Sequence, residues 1–352
     1  MISNPITCVW EITMACNMRC KHCGSACKEA LPGELTHEEA MKFVDTCSEM
    51  NMEWINISGG EPFTRKDLVE IVKHAVEKEL GVNIITNGWL INEDIAQELG
   101  KASDLLRVLI SLDGPEYIHD FIRKPGSFNR AKKSFEVLSK NGVKTGCITT
   151  LTKKNIDHLD ELKHFLIREG VDVWQVQIGL PMGTLAEHPD WLLNPEDVEN
   201  IIEYADKVSK EGEIDIFPAD CVGYYDKRLD EIYKRSYGVE EIGPWEGCTA
   251  GVRSFGILHD GSILGCTSIR DKKFIEGNIK ERSFKEIWED PNSFSWRRQF
   301  TKDNLKGDCQ KCSYAEKCLG GCFNTRLAIN GSIDSENLYC VQNLLMKNAM
   351  KK

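Results

Sequence analysis

Residues 7–23 read TCVWEITMACNMRCKHC, an apolar strand pattern that leads directly into Cys16, Cys20 and Cys23 in C-x3-C-x2-C spacing. Three thiolates on one short loop can hold three corners of a four-iron cluster and leave the fourth iron open. A structural zinc site or an electron-transfer cluster needs all its positions filled by protein. The triplet therefore predicts a cluster with an exogenous ligand. The alternatives are an incomplete zinc knuckle, a disulfide with a spare thiol, and chance.

A second motif, Gly59-Gly60-Glu61-Pro62, follows the next apolar strand pattern at residues 54–58. Its glycines permit close backbone approach to a ligand, and the carboxylate can receive an ammonium group. With the cysteine triplet before it, this motif resembles the pattern of radical S-adenosylmethionine (SAM) enzymes. The resemblance implies that the open iron chelates SAM and that Gly59, Gly60 and Glu61 hold the SAM amino group. It also implies reductive cleavage of SAM to a 5′-deoxyadenosyl radical.

Five more residues match SAM-site positions of this family, and the resemblance implies the same role here. They are His22, Asn87, Ser111, Asp113 and Arg123. Ser111 and Asp113 stand two residues apart after a strand pattern, so they share one face of its end. Asp113 begins an Asp-Gly-Pro sequence that fits a strand-terminating turn equally well. Arg123 fits a plain surface position as well.

The composition of the chain limits its class. It has 352 residues, a formal net charge of −11 and 15 cysteines. The N-terminal residues lack the pattern of a signal peptide, and no stretch reaches the roughly 20 apolar residues of a membrane span. These features predict a cytoplasmic protein without membrane contact, where reducing conditions favour metal-bound cysteines over disulfides. The acidic charge disfavours nucleic-acid binding.

Short apolar runs alternate with amphipathic helical patterns through the first 210 residues. The strand patterns lie at 7–13, 54–58, 82–86, 106–112, 143–150 and 173–178. The helical patterns lie at 37–51, 66–79, 92–100, 128–140, 155–169 and 195–210. Thr36 with Glu39 predicts a capping box, and Asn194 precedes a proline at a first helical position. Six strand–helix units in series indicate a parallel sheet. The resemblance implies an α/β fold with a partial (β/α)6 TIM-type barrel at residues 1–212 and chemistry at the carboxyl ends of its strands.

Seven cysteines follow a bridge assigned to residues 213–247. They are Cys248, Cys266, Cys309, Cys312, Cys318, Cys322 and Cys340. Gly261 separates two apolar runs, which predicts a hairpin that brings Cys248 and Cys266 together. The spacings resemble those of the SPASM domain, an extension of radical SAM enzymes associated with peptide and protein maturation. The resemblance implies a small cysteine-rich domain at residues 248–345 with a β-hairpin, short helices and auxiliary 4Fe–4S clusters. Zinc ribbons are the alternative.

The same resemblance divides these cysteines into two ligand sets and predicts three 4Fe–4S clusters in all. The distal cluster takes Cys309, Cys312, Cys318 and Cys340. The proximal cluster takes Cys248, Cys266 and Cys322 and keeps one iron without an assigned cysteine.

The cysteines outside these sets have other predicted roles. Cys221 can be the missing proximal ligand, a hydrogen donor to a product radical, or an inert thiol. We expect that it is not a ligand and assign it as a candidate catalytic residue. Cys27 is an alternative ligand for the first cluster. Cys8, Cys47 and Cys147 are expected to be buried or half-buried thiols.

Fold and cofactor do not determine the substrate. The first hypothesis is hydrogen abstraction from a ribosomally made peptide, followed by a thioether or carbon–carbon link. Gln175 and Gln177 alternate onto one strand face and could bind a peptide backbone. The alternatives are formylglycine formation, haem-precursor decarboxylation, peptide epimerisation, and an iron–sulfur electron carrier. Thr267 disfavours formylglycine formation, because sulfatase-type maturases typically have an aspartate directly after the second cysteine of the hairpin pair. The expected partners are a peptide, a reductant such as flavodoxin or ferredoxin, and, where leader binding is supplied by a partner, a separate leader-recognition protein.

Overall fold

A computed structural model of the chain describes residues 3–102, 104–219, 222–243 and 245–350, with side chains to residue 347. Cys221 lies outside the described residues. The chain forms two compact units. The first comprises Met1–Ser111, Arg123–Thr145 and Thr249–Gln299, and the second comprises Leu112–Ile122, Gly146–Cys248 and Phe300–Lys352. Because these units interleave along the chain, they do not test the boundaries 1–212, 213–247 and 248–345, which stay predictions.

Strands and helices alternate through most of the chain. The strands are β1 (Thr7–Glu11), β2 (Trp54–Ser58), β3 (Gly81–Thr86), β4 (Leu106–Ser111), β5 (Lys144–Leu151), β6 (Val173–Ile178), β7 (Asp215–Pro218), β8 (Ser254–Ile257), β9 (Ser262–Leu264) and β10 (Ile275–Asn278). The helices are α1 (His37–Glu49), α2 (Leu68–Glu77), α3 (Glu93–Gly100), α4 (Glu116–Ile122), α5 (Ser127–Lys140), α6 (Leu159–Arg168), α7 (Asp197–Glu211), α8 (Lys227–Tyr237), α9 (Phe284–Glu289), α10 (Ser295–Arg298), α11 (Gly307–Lys311), α12 (Ala315–Cys318), α13 (Phe323–Asn330) and α14 (Val341–Met350).

In the first unit, β1 to β4 form a parallel sheet in sequence order. Trp10 of β1 is fully buried, and its ring meets Phe43 of α1 edge-on at 5.0 Å. The helix α1 begins at the predicted capping box, in which Glu39 N donates to Thr36 Oγ1 over 3.2 Å and Thr36 N donates to Glu39 Oε2 over 2.8 Å. The apolar faces of the strands and helices are buried against each other, and capping side chains bond the free N–H groups at helix starts. Together these interactions position the loops after each strand.

The C-terminal hairpin of the first unit extends this same sheet. Strands β8 and β9 are antiparallel, with Gly256 opposite Leu264, and Gly261 has the positive φ of +87° that the turn requires. This confirms the predicted hairpin. Strand β8 also pairs in parallel with β1, with Phe255 opposite Cys8. The sequence analysis did not predict that pairing, because it depends on contacts between residues far apart in the chain.

In the second unit, β5, β6 and β7 form a parallel sheet, with Trp174 between Cys147 and Ile216. Trp174 is fully buried, and its ring meets Tyr204 of α7 edge-on at 6.2 Å. Helix α7 therefore covers the face of the sheet that carries Trp174. The α/β class with parallel strands confirms the predicted fold class.

Several element bounds differ from prediction for local reasons. Strand β1 ends at Glu11, not at residue 13, because the Thr13 hydroxyl turns to donate to Glu34 Oε1 over 2.7 Å. Helix α6 begins at Leu159, not at 155, because Asn155 Oδ1 accepts from Thr152 N over 2.7 Å and closes a turn first.

Helix α7 begins at Asp197, not at 195, where the Asp197 carboxylate accepts from Asn194 N over 2.7 Å. Helix α4, strand β7 and helix α8 were not predicted at all, and the last two lie in the assigned bridge. Within the described ranges, no helix is both long and apolar enough to cross a membrane.

Candidate active site

The cysteine triplet lies in a loop of the first unit that begins where β1 ends. Cys16 N donates to the Lys28 carbonyl over 2.9 Å, which closes the loop on itself. Within it, Cys23 N donates to the Cys20 carbonyl over 3.2 Å, and Met18 N donates to Cys16 Sγ over 3.5 Å. The backbone thus holds all three cysteines on one hydrogen-bonded loop.

The cysteines of this loop differ in their surroundings. A hydrogen bond from the Cys27 thiol, with others from backbone N–H groups, lowers the pKa of Cys23 to about 5. Burial raises the pKa of Cys16, and the hydrogen bond to Cys23 raises that of Cys27. Cys27 therefore supports the Cys23 thiolate as a donor, and its alternative role as a ligand stays a prediction.

Glu61 is fully buried beside the next strand end. Its Oε1 accepts from Thr86 Oγ1 over 2.7 Å and from Phe63 N over 3.1 Å, and its Oε2 accepts from Asn87 N over 2.8 Å. Burial raises the pKa of Glu61, while these hydrogen bonds and the positive charge of Arg123 oppose the rise. Because Oε2 has only one of these donors, it can still receive an ammonium group.

Gly59 and Gly60 are required by the cysteine loop itself. A Cβ at Gly60 would lie 2.1 Å from the Ala15 carbonyl oxygen, and one at Gly59 would lie 2.3 Å from that of Thr13. Gly60 N donates to the Thr13 carbonyl over 2.7 Å, and Glu61 N donates to that of Ala15 over 2.8 Å. The close backbone approach is therefore between two loops of the protein, and the predicted contact of these glycines with SAM stays a prediction.

Other predicted residues of the first unit lie around this pair of loops. Asn87 is buried, and its Nδ2 donates to Asn17 Oδ1 in the triplet loop over 2.8 Å. His22 is buried within the triplet loop, and Ser111 is the half-buried last residue of β4. A hydrogen bond from Asn87 N and the charge of Arg123 link these two residues to Glu61, and the contact of the predicted residues with SAM stays a prediction.

Asp113 belongs to the second unit and is fully buried there. Its Oδ1 accepts from Thr150 N over 3.2 Å, and its carbonyl accepts from Asn155 Nδ2 over 2.8 Å. Its own N donates to Nδ1 of the fully buried His119 over 3.2 Å. These bonds brace the turn after residue 112, so Asp113 has a structural role whether or not it contacts SAM.

An ion pair that the sequence did not predict joins the buried Glu11 to the half-buried Arg270 beside the triplet. Glu11, which is 3 % exposed at the end of β1, binds Arg270 Nη2 through Oε1, and Arg270 Nη2 also donates to Ser25 Oγ over 2.6 Å. The sequence offers one local signal for it, an acidic residue inside an apolar strand pattern. The arginine comes from the segment that follows the C-terminal hairpin, so this pair ties that segment to the cysteine loop.

Replacing Arg270 by methionine should lower the free energy of unfolding of the protein by about 2–4 kcal/mol, because it leaves the Glu11 carboxylate buried without its partner. Urea denaturation followed by tryptophan fluorescence measures this change. The double variant Glu11→Gln with Arg270→Met should recover most of the loss, since neither member then remains as an unpaired charge. Equal stability of Arg270→Met and wild type would show that the pair contributes nothing.

The SPASM cysteines divide between the two units. Cys266 belongs to the first, and the others belong to the second. In the second unit, Asn337 N donates to Cys309 Sγ over 3.3 Å. Burial raises the pKa of Cys318 to about 12 and that of Cys340 to about 11. As bare thiols these side chains stay neutral, whereas a coordinated metal ion makes a thiol bind as thiolate.

Tyr224 organises the same region, a role that no sequence motif indicates. Its hydroxyl accepts from Cys322 N over 3.1 Å and from Asn337 Nδ2 over 3.0 Å. Its ring occupies the space beside Gly321, where a Cβ would lie 2.6 Å from the ring carbon Cζ. The bridge residue Tyr224 therefore holds the C-x3-C segment in place.

Comparison with known proteins covers the cysteine triplet and four of the seven C-terminal cysteines. The model of the radical SAM superfamily matches residues 10–166, and the model of the SPASM iron–sulfur cluster-binding domain matches residues 248–313. The chain is 31 % identical to the AdoMet-dependent heme synthase of Methanosarcina barkeri strain Fusaro, over 97 % of each protein. The chain belongs to the radical SAM superfamily. It is also 30 % identical to mycofactocin maturase MftC of Mycolicibacterium smegmatis, over 96 % of this chain and 83 % of that one.

Two solved structures with bound SAM share the fold. Streptococcus suis SuiB bound to SAM superposes with a TM-score of 0.73 at 20 % identity, over 95 % of this chain and 76 % of that one. The native anSMEcpe with bound AdoMet also gives 0.73 at 20 % identity, over 99 % and 98 %. At this identity the similarity shows the architecture alone, and it confirms the α/β fold with a parallel-strand sheet.

The radical SAM and SPASM domains imply SAM and 4Fe–4S clusters, and the described residues fit these groups. None of the cysteines in the described part of the chain forms a disulfide. Backbone N–H groups already donate to Cys16 Sγ and Cys309 Sγ, and Asn17 Nδ2 is buried in the triplet loop without a partner. Among the described residues, no three His, Cys, Asp or Glu side chains converge as around a single metal ion. A 4Fe–4S cube has a different requirement, because each thiolate binds its own iron.

Proposed function

We propose that this radical SAM/SPASM enzyme abstracts a hydrogen atom from a peptide and installs a modification such as a thioether or carbon–carbon crosslink. The observation that supports a peptide substrate is an amide-bearing strand face in the second unit, which carries no Lys or Arg in the paired stretches of its strands. The side chains of β5, β6 and β7 alternate between two faces, and α7 covers the one with Trp174. The opposite face carries Ile148, Thr150, Gln175, Gln177, Phe217 and, at the start of β7, Asp215.

The two glutamines of this face are only half-buried. Gln177 Nε2 donates to Thr150 Oγ1 over 3.1 Å, which orients its amide. Each carboxamide offers both donors and acceptors, so the pair can match the alternating N–H and C=O groups of an extended peptide. Within the paired stretches of these three strands, this face carries no Lys or Arg. A neutral backbone suits such a surface better than a substrate with several carboxylates does.

When bound, SAM and the clusters supply the one-electron chemistry that removes hydrogen from the substrate. We assign the SAM-binding cluster to the triplet Cys16, Cys20 and Cys23, and the SAM ammonium group to Glu61. The SPASM cysteines would hold two auxiliary clusters in the sets given above, for three clusters in all. Cys221 would be a hydrogen donor to the product radical and not a ligand.

Decarboxylation of a haem precursor is the second candidate function. The similarity to the AdoMet-dependent heme synthase of M. barkeri over 97 % of both chains favours it. The peptide proposal has parallel support, since MftC is named a maturase and SuiB has been solved with its precursor peptide SuiA. We further propose flavodoxin or ferredoxin as the reductant and a separate leader-recognition protein as a possible partner.

The reconstituted enzyme, given SAM and dithionite, should form 5′-deoxyadenosine faster when a small peptide encoded beside its gene is added. Mass spectrometry of that peptide should show loss of hydrogen. The Gln177→Ala variant should raise KM for the peptide about fivefold, since one hydrogen bond is lost. The matched control Gln97→Ala, at an exposed position of α3, should leave KM unchanged.

Fe-coproporphyrin III serves as the competing probe in the same assay. If it stimulates 5′-deoxyadenosine formation with release of CO2, and the peptides do not, the peptide proposal is wrong and the second candidate replaces it. An identical KM for Gln177→Ala and wild type would show that Gln177 does not contribute to peptide binding.

A further inference from the structure

The second unit contains a buried arginine that forms no ion pair with any carboxylate of the residues that the structure describes. Arg326 of α13 is 0 % exposed. Its Nη2 donates to the Leu319 carbonyl over 2.8 Å, while its Nε and Nη1 are buried without a hydrogen-bond partner. A buried guanidinium with two unused donors is costly unless an anion lies beside it.

The packing around Arg326 holds the guanidinium in one place. Its Cζ lies 4.4 Å from the ring centre of Phe323 and 5.4 Å from that of Phe300. Gly320, at φ +79°, has no side chain on the other side, where a Cβ would lie 2.8 Å from Arg326 Nη1. Gly320 lies between Cys318 and Cys322, so the chain leaves room for the guanidinium inside its C-x3-C segment.

The titratable groups that act most strongly on Arg326 are three cysteines and one tyrosine. Its largest electrostatic interactions, apart from burial, are with Cys309, Tyr224, Cys322 and Cys318, and no Asp or Glu is among them. Neutral thiols cannot offset a buried cation. Thiolates bound to an iron–sulfur cluster can, because the cluster with its ligands carries net negative charge.

We propose that Arg326 is a positioning residue for the distal auxiliary cluster, with its charge and its Nε and Nη1 donors available to the ligand thiolates of Cys309 and Cys318. This inference rests on the proposed assignment of those cysteines as ligands. One-electron reduction adds a negative charge to a cluster, and a fixed nearby cation with N–H donors favours the reduced state. Arg326 therefore raises the reduction potential of the auxiliary cluster beside it.

The test uses the full chain with Cys16, Cys20 and Cys23 replaced by alanine, so that only auxiliary clusters contribute to the spectra. In this background we compare Arg326→Lys, Arg326→Gln and unchanged Arg326. Reconstitution, iron analysis and redox titration followed by electron paramagnetic resonance give cluster content and midpoint potential. Arg326→Gln should keep its iron and shift one midpoint to a more negative potential. Arg326→Lys, which keeps the charge, should shift it less.

A matched control is Arg298→Gln. Arg298 also stacks between two aromatic rings, at 4.7 Å from both Trp288 and Phe294, but its electrostatic partners are Glu276 and Asp290. It should leave both auxiliary midpoints unchanged. An unchanged midpoint in Arg326→Gln, or equal shifts in both glutamine variants, would overturn the role of Arg326. Absence of auxiliary iron in the background protein would instead overturn the ligand assignment on which the inference rests.

Discussion

Replacement of Cys16, Cys20 and Cys23 by alanine is expected to abolish SAM cleavage and leave the auxiliary clusters in place. The triplet lies on a single loop after β1, whereas the auxiliary ligands come from other segments of the chain. Three filled clusters give about 12 irons per chain, so the triple variant should retain about 8. Iron and labile-sulfide analysis after anaerobic reconstitution measures this, together with the yield of 5′-deoxyadenosine under dithionite.

The control for this variant is Cys47→Ala, which changes a fully buried thiol in α1. It should keep both the full iron content and SAM cleavage. Cys221→Ala should likewise keep about 12 irons if Cys221 is not a ligand, and loss of about four would show that it closes the proximal cluster. Formation of 5′-deoxyadenosine by the triple variant at the wild-type rate would refute the assignment of the triplet.

Replacement of Asp113 by alanine should lower the free energy of unfolding by about 2–4 kcal/mol. The change leaves Thr150 N without an acceptor and opens a cavity at a site with no solvent exposure. Asparagine keeps an oxygen for Thr150 N, so Asp113→Asn should cost about 1 kcal/mol or less. Urea denaturation of the two variants measures the difference between them.

Asp113→Asn also separates the structural role from the predicted SAM contact. If the carboxylate binds the SAM ribose, this folded variant should bind SAM about tenfold more weakly, because a charged acceptor has been lost. Equilibrium dialysis with radiolabelled SAM measures that affinity. Wild-type affinity in Asp113→Asn would show that Asp113 only braces the turn, and stability of Asp113→Ala equal to wild type would show that it does not brace it.

The sequence alone determined the features that depend on neighbouring residues. Periodic apolar runs gave the first six strands, and the Thr36 and Glu39 pair gave the start of α1. Gly261 gave the hairpin, because a turn of positive φ favours glycine whatever surrounds it. The cysteine spacings predicted the radical SAM family, because cysteines a few residues apart lie on one loop whatever surrounds it. The predicted start of α7 was wrong by two residues, because the Asp197 carboxylate accepts a hydrogen bond from Asn194 N.

Only the tertiary structure decided which distant groups meet. Glu11 and Arg270 stand 259 residues apart, and no local pattern links an acidic residue in a strand to an arginine after a hairpin. The pairing of β8 with β1 and the contact of Tyr224 with Cys322 are of the same kind. Arg326 looks like any polar helix residue in the sequence, and only burial among cysteines gives it a role. The physical reason is that burial removes water, so the strength of each charge and hydrogen bond depends on which groups the fold places beside it.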